Sequence, residues 1–266
     1  MTEPAAMTGE NRPPNSGNPA VAILGGVPIS VLDRKAAAAV MLGAALRHRR
    51  GEPPLFFTSA NGEVIARIHR DRAVARLFAD ADQILADGQP LVIASRWLCR
   101  NPLPERAATT DLFHDVARLA EEKGATFYLF GASEEENAKA VAVVRRAYPR
   151  LNVVGHTHGY LAGDALEAKL AEINALAPDI LWLGLGVPRE QAFVFEHRHN
   201  LANVGLIKTS GGLFNHLSGS RRRAPGWIQM AGFEWLWRLL LEPRRLAWRY
   251  LTTNPLALYL MLRHSE

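Results

Sequence analysis

The chain has 266 residues, 48% of them hydrophobic and 21% charged, which is enough apolar content to bury a full core and argues against a wholly disordered chain. Its single cysteine, Cys99, excludes an intramolecular disulfide framework and suits a reducing compartment; no apolar run reaches the roughly 18 residues of a membrane-spanning helix. The net charge is +5, and because eight Arg and only three Glu follow from Gly219 onward, the first 218 residues are balanced and the basic character sits in the C-terminal segment, pointing to a localised anionic partner.

Residues 1–19 are rich in Pro, Gly, Asn, Ser and Glu and have neither a basic start nor an apolar stretch. They read as a disordered tail and not as a secretory signal. An Ala-rich helix is expected from Asp33 to about residue 50, then a short buried strand over 55–59 and helical pattern over 62–78. Residues 82–86 form the next strand, with a helix after Pro90; Cys99 falls in that apolar run and reads as a packed thiol. Thr110 is placed to cap a helix to Lys123, which Gly124 ends. A fully apolar strand over 126–130 closes on Gly131, and Ser133 with Glu136 makes a capping box. Strand 151–155, helix 164–177 and strand 180–186 follow, and Pro188 opens a further helix. Strand 204–208 ends at Gly211-Gly212.

Near-continuous apolar strands separated by amphipathic helices predict an α/β fold, a Rossmann-like, largely parallel sheet covered on both faces. The expected organisation is a tail over 1–19, an α/β domain over 20–218 and a helical appendage over 219–266. In the appendage Glu234, Arg238, Glu242, Arg245 and Arg249 recur at helical spacing, four of the six tryptophans lie alongside, and Pro243 and Pro255 are placed to break it into short helices. A core helix pair and a nucleic-acid surface are alternative readings. Arginines interleaved with Trp and Leu, with no nucleic-acid motif, favour an interfacial helix on an anionic membrane.

Several turns converge on the carboxyl edge of the predicted sheet, where open α/β folds bind ligands. Asp87-Gly88 follows one strand and Ser59-Ala60-Asn61 another; Gly131, Gly184-x-Gly186 and Gly211-Gly212 end three more. Asp87 is either a catalytic base or a turn former. Glycine turns that open helices offer backbone N–H groups to a diphosphate, although neither a Gly-x-Gly-x-x-Gly fingerprint nor a Walker loop is present. Asp80-Ala81-Asp82 precedes its strand, so it reads as a solvated helix–strand junction and not as a metal pair, and His156-Thr157-His158 lacks a third ligand.

These residues resemble the WecG/TagA/CpsF glycosyltransferase family of bacterial cell-surface polysaccharide synthesis. The resemblance runs over 59–249 and rests on Asn61, Ala86-Asp87-Gly88-x-Pro90, Pro104-Glu105-Arg106 with Asp111, and residues 155–160. It continues through Gly184-x-Gly186-x-Pro188-Arg189, Gly211-Gly212-x-Phe214, Arg223-Ala224-Pro225, Glu234-Trp235 and Glu242-Pro243-x-Arg245. It implies an inverting enzyme that needs neither metal nor cofactor and moves a sugar, N-acetylmannosamine-like or a related hexose, from a UDP-sugar to a polyprenyl-diphosphate-linked saccharide. By the same resemblance Asp87 matches the general base and Arg106 an essential arginine, Ser59 and Asn61 flank the pocket, and Arg189, Glu190 and Gln191 match a nucleotide-contact turn. Gly88, Gly131, Gly186, Gly212 and Asn215 complete the expected substrate contacts. Arg221, Arg222, Arg223, Arg238 and Arg245 are the expected diphosphate and membrane contacts. The implied site of action is the cytoplasmic face of the inner membrane or the cytoplasm, without nucleic acid and with a homo-oligomer allowed.

The sequence departs from the family pattern at three places: Ser59 stands for the usual Thr, Arg189-Glu190-Gln191 for Lys/Arg-Gln-Glu, and Asn215 for Asp. The rival reading, a membrane-surface scaffold of the same fold without turnover, would have the last two as its marks.

Overall fold

In the computed structural model, which describes residues 19–221 and 223–266 but not the side chains of Gln229 and Arg245, the chain enters through a hairpin. Strands β1 (Val21–Leu24) and β2 (Val27–Ser30) pair antiparallel. Gly25 and Gly26 turn between them at φ +57° and +75°, the left-handed conformation that a two-residue turn of this hand demands. The periodicity reading begins only at Asp33 and omits this element; Gly-Gly between two apolar runs is its signal. The tail expected over 1–19 lies outside the described residues up to residue 18.

Helix α1 (Arg34–Arg47) follows, with the Asp33 carboxylate accepting from Ala36 N at its N-terminus. The central sheet holds β3 (Leu55–Ala60), β4 (Gln83–Ala86), β5 (Thr126–Gly131), β6 (Asn152–Thr157), β7 (Ile180–Gly184) and β8 (Leu206–Thr209). They lie in the order β4-β3-β8-β7-β5-β6, and every neighbouring pair is parallel. The Rossmann-like expectation is met. From β3 the chain moves outward to β4, whereas β5 and β6 build the opposite wing. The order therefore switches beside β3, and a crevice opens outside the carboxyl ends of β3, β4, β7 and β8.

Side-chain alternation along the strands sorts the core into two faces. Phe57, Leu85, Phe127, Leu129 and Trp182 pack with α1, α5 (Thr109–Lys123), α6 (Glu134–Ala147) and α9 (Leu213–Leu217). On the other side Phe56, Tyr128, Phe130, Leu181 and Ile207 meet α7 (Gly163–Leu176) and α8 (Arg189–His197). A third cluster joins the hairpin to α2 (Gly62–Arg70), α3 (Arg72–Ala79) and α4 (Gln89–Leu98), and Leu260 and Met261 near the C-terminus complete it.

Three local expectations are corrected. The helical pattern over 62–78 is two helices, because Asp71 leaves the first and caps the second by accepting from Ala73 N and Val74 N at 2.8 and 3.4 Å. Helix α5 begins at Thr109, with Ala108 and not Thr110 at the cap position. Pro255 does not end a helix: α12 (Pro243–Arg263) runs through it. The missing N–H of Pro255 takes the helical donor from the Leu251 carbonyl, and next to it the Thr252 carbonyl accepts from Arg70 at 2.8 Å.

Beyond Gly219 come α10 (Gly226–Met230), α11 (Glu234–Leu241) and α12. The chain then returns to the hairpin, where Ile23 and Glu266 exchange backbone hydrogen bonds at 3.2 and 3.1 Å. No helix among the described residues is long and apolar enough to cross a membrane.

Gly131 ends β5 at φ +146°, and a Cβ there would stand 2.2 Å from the Gly184 carbonyl oxygen of β7. Its missing side chain lets two strand ends close, so Gly131→Ala is expected to cost at least about 3 kcal/mol, the upper end for overpacking a core, measured by urea denaturation.

Candidate active site

The switch-point crevice is divided. One cleft of about 630 Å³ lies over the ends of β7 and β8 and is lined by Ser59, Gly186, Glu190, Gly211, Gly212, His216, Arg221 and Arg223 among others. A second, of about 340 Å³, opens toward α4 and the C-terminal helices, with Gly88, Arg106, Trp235, Tyr250, Leu258 and Met261 in its wall. Asn61, Glu63, Asp87, Glu234, Arg238 and Arg249 border both. Asp87 therefore stands where the two meet.

The β4 strand sets that position. It pairs with β3 so that Ala86 lies beside Ala60, and Asp87 N donates to the Ala60 carbonyl at 2.8 Å. The next residue, Gly88, opens the turn into α4. Asp87 Oδ2 accepts from the Thr109 hydroxyl at 3.1 Å. Burial raises its pKa above the ordinary carboxylate value, while Lys208, Arg238 and the Thr109 hydrogen bond pull it back down. An acid with its pKa moved toward neutrality suits general-base work.

Neighbouring residues divide into those that face the clefts and those that hold the frame. Asn61 caps α2, its side-chain oxygen accepting from Val64 N at 3.1 Å. Glu190 is buried under the first cleft, and its Oε2 accepts from Gly186 N at 3.2 Å and Gly211 N at 2.9 Å. Two glycine N–H groups expected to be free for a diphosphate are thus committed to a protein carboxylate, because a buried carboxylate must be hydrogen-bonded. Gln191 is fully buried and donates to Thr58 Oγ1 at 3.1 Å, so of the two residues only Glu190 lines a cleft. Arg189 is exposed at the start of α8, and Gly131 lies between strands; neither borders the clefts. Asn215 sits on α9 behind Gly212, where its Oδ1 would be 3.7 Å from an added Cβ.

The C-terminal arginines are engaged with the body of the fold. Arg223 forks onto Asp111 at 2.6 and 3.0 Å. Arg106 reaches Glu234 at 2.8 Å, and Arg238 takes the other oxygen of Glu234 at 2.6 Å. Arg249 lies 3.3 Å from Glu63. Burial alone would raise the pKa of Asp111, but Arg223 and Arg106 outweigh it and the net direction is down. Arg221 lines the first cleft, while Arg222 and the side chain of Arg245 lie outside the described residues.

The two rejected metal pairs are placed elsewhere. Asp80 and Asp82 both hold Arg198, at 3.0 and 3.3 Å, a half-buried ion-pair site where a solvated junction was expected. His156 Nδ1 meets Asn137 Oδ1 at 2.8 Å, and His158 Nδ1 accepts from Tyr160 N at 3.2 Å. The sequence reading missed Thr109 and Lys208 at the site. Lysine ending an otherwise apolar strand was the available signal for Lys208.

The sequence profile of the Glycosyl transferase WecG/TagA/CpsF family matches residues 21–265. N-acetylglucosaminyldiphosphoundecaprenol N-acetyl-beta-D-mannosaminyltransferase of Bacillus subtilis (strain 168) is 30% identical over 201 residues, covering 74% of this chain and 75% of the relative. The protein of the same description from Bacillus spizizenii is 31% identical over 214 residues, 79% of this chain and 80% of its own. That from Staphylococcus aureus (strain MRSA252) is 27% identical over 192 residues, covering 72% and 74%.

The fork between Arg223 and Asp111 ties the segment before α10 to α5. Asp111→Asn is expected to speed tryptic cleavage at residues 221–223 roughly tenfold, the effect of weakening local closure by about 1.4 kcal/mol, as followed by mass spectrometry. Because the pKa of Asp111 is depressed by folding, its contribution is present above the unfolded value of about 3.9 and is lost as pH falls through the folded one.

Proposed function

The chain belongs to the WecG/TagA/CpsF family of glycosyltransferases, and from that premise we propose that it moves a hexose from a UDP-sugar to a polyprenyl-diphosphate-linked saccharide by direct displacement. The observation that carries this reading is Asp87 on the wall common to two clefts. A donor in one and an acceptor in the other would meet at its carboxylate. The first cleft is the larger and holds Arg221, Arg223 and His216, which suits a nucleoside diphosphate. The second is bordered by Trp235, Tyr250, Leu258 and Met261 as well as Arg106, which suits a diphosphate carrying an isoprenoid chain. The relatives' description names such a lipid acceptor.

In this mechanism Asp87 takes the proton of the acceptor hydroxyl. The oxygen forms its bond to the anomeric carbon from the face opposite the nucleotide while the bond from that carbon to the UDP oxygen breaks, so the configuration inverts. Arginine side chains meet the charge that develops on the departing diphosphate, and no divalent cation is required of them. Donor identity within the hexoses is set in the first cleft around Glu190 and Gly212, the latter backed by Asn215, where this chain differs from the family pattern.

The reading includes a membrane surface. Helix α12 has two apolar stripes at helical spacing. Leu246, Tyr250, Ala257 and Leu260 are buried against the fold; Trp248, Leu251, Leu258 and Leu262 lie on another side and are 55–77% exposed. An apolar stripe turned to solvent beside exposed arginines lies well in a headgroup layer. The protein would then work peripherally, on the bilayer face that carries nucleotide sugars, the cytoplasmic one.

Two measurements test these points. Asp87→Asn is expected to keep UDP binding and lose about 10² to 10⁴ in transfer rate, the usual worth of a general base, in an assay of UDP release with a lipid-linked acceptor. The wild-type rate should survive EDTA, and its acidic limb should lie above the ordinary carboxylate range, because the base must be ionised and burial raises its pKa. Near-normal transfer by a folded Asp87→Asn protein would falsify the base assignment. Separately, replacing Trp248 and Leu251 with Asp is expected to weaken sedimentation with anionic vesicles at least about tenfold, with circular dichroism confirming the fold.

A further inference from the structure

Lys208 is the charged side chain for which the displacement above has no use. It is the penultimate residue of β8, is fully buried and borders neither cleft, so no substrate atom reaches it and it is neither a nucleophile nor an anion ligand. Its ammonium donates to Ser59 Oγ at 2.8 Å and to the Thr209 carbonyl at 2.8 Å. Ser59 Oγ lies 3.3 Å from Thr109 Oγ1, and Thr109 Oγ1 donates to Asp87 Oδ2 at 3.1 Å. A hydroxyl has one proton to give. Thr109 gives its own to Asp87, so between the two hydroxyls Ser59 must be the donor and Thr109 the acceptor. Every proton in the chain therefore points one way, from the ammonium of Lys208 to the carboxylate of Asp87.

We propose that Lys208 is a positioning residue for the transfer reaction. Through Ser59 and Thr109 it holds Asp87 ionised and fixes its Oδ2, leaving Oδ1 for the acceptor hydroxyl. The proposal rests on Asp87 being the base. Groups on every side bear on the balance: Lys208 from β8, Arg238 and Glu234 from α11, and Arg223 from the segment before α10 act on Asp87, while Glu190 from α8 faces Lys208. Burial pushes the Lys208 ammonium down to about 8, with Asp87 and Glu190 pulling it up. Hydroxyls polarised in series by a charge strengthen one another, which gives the buried lysine a purpose beyond balancing Glu190.

The test is the titration of the Asp87 carboxyl carbon by ¹³C NMR, assigned with Asp87→Asn and read beside the pH profile of kcat/KM. In Lys208→Met the Asp87 titration and the acidic limb should both move up by about one pH unit or more. Transfer on the acid side then drops roughly tenfold and recovers toward alkaline pH, with the Kd for UDP unchanged. A lysine that only supports packing or balances Glu190 would leave Asp87 where it is, and an unmoved titration with an unmoved limb in folded Lys208→Met overturns the proposal. If that variant does not fold, Ser59→Ala and Thr109→Val decide: each breaks the chain while keeping the ammonium, and each must raise the Asp87 titration or the proposal falls. If wild-type protein releases no UDP from any sugar donor, the transfer function fails on its own, and the titration still reads the coupling.

Discussion

A charge removed from water must find its partners inside the fold, and the carboxyl edge of this sheet buries Glu190 and Lys208 beside the half-buried Asp87. The unsupported cost is several kcal/mol per ion. Each is met differently. Glu190 takes two glycine N–H groups, Lys208 a hydroxyl and a carbonyl, and Asp87 the Thr109 hydroxyl. Burial raises both carboxyls and lowers the ammonium. The ionisation of each group therefore depends on the charge of its neighbours. The glycine turns around the crevice answer to the fold as well as to any ligand: the Gly186 and Gly211 N–H groups serve Glu190, and a Cβ at Gly184 would meet the Phe214 ring at 2.8 Å.

The parallel topology supplies the convergence. Residues 59, 87, 186, 190 and 209 are far apart in sequence, and they come together because β3, β4, β7 and β8 run in one direction and the order switches beside β3. The division of the crevice has another source. Glu234 of α11 reaches Arg106, and Arg249 of α12 reaches Glu63 on α2, which lays the C-terminal helices across the opening. A single groove becomes two compartments sharing Asp87.

The sheet was legible in the sequence because its strands are buried on both faces and read as unbroken apolar runs. Phe127 to Phe130 and Ile180 to Leu183 leave no other reading. The hairpin was not, since four-residue strands carry too little periodicity and only Gly25-Gly26 marks them. At the site, Asp87 was legible from its place after an apolar strand, and Arg106 only by resemblance to a family. The direction of Gln191 was hidden. Adjacent helical positions face about 100° apart, and sequence alone does not say whether Glu190 or Gln191 turns to the cleft. Thr109 was hidden for a like reason: Thr110 offered a better-looking cap, and nothing local reveals a hydroxyl spent on a carboxylate 22 residues earlier.

The C-terminal charge also means something different once folded. The sequence concentrates the net +5 after Gly219, which suggests attraction to an anionic surface. Yet Arg223 is forked onto Asp111 and Arg249 lies against Glu63, so part of that surplus is balanced by acids of the α/β body across the cleft. What faces outward most clearly is apolar: Trp248 at 77% exposure and Leu251 at 70%. A basic residue near an anionic headgroup layer is worth about 1 kcal/mol, whereas burying a large apolar side chain is worth about 1.5–3 kcal/mol. On these magnitudes the stripe on α12 outweighs the exposed arginines. On the proposed reading, the helix that would dock on lipid through one apolar stripe also lines the second cleft, chiefly through Tyr250 and Ala257 of the other. Membrane contact and acceptor binding would then share one rigid element, and a lipid substrate would reach Asp87 without leaving the bilayer surface.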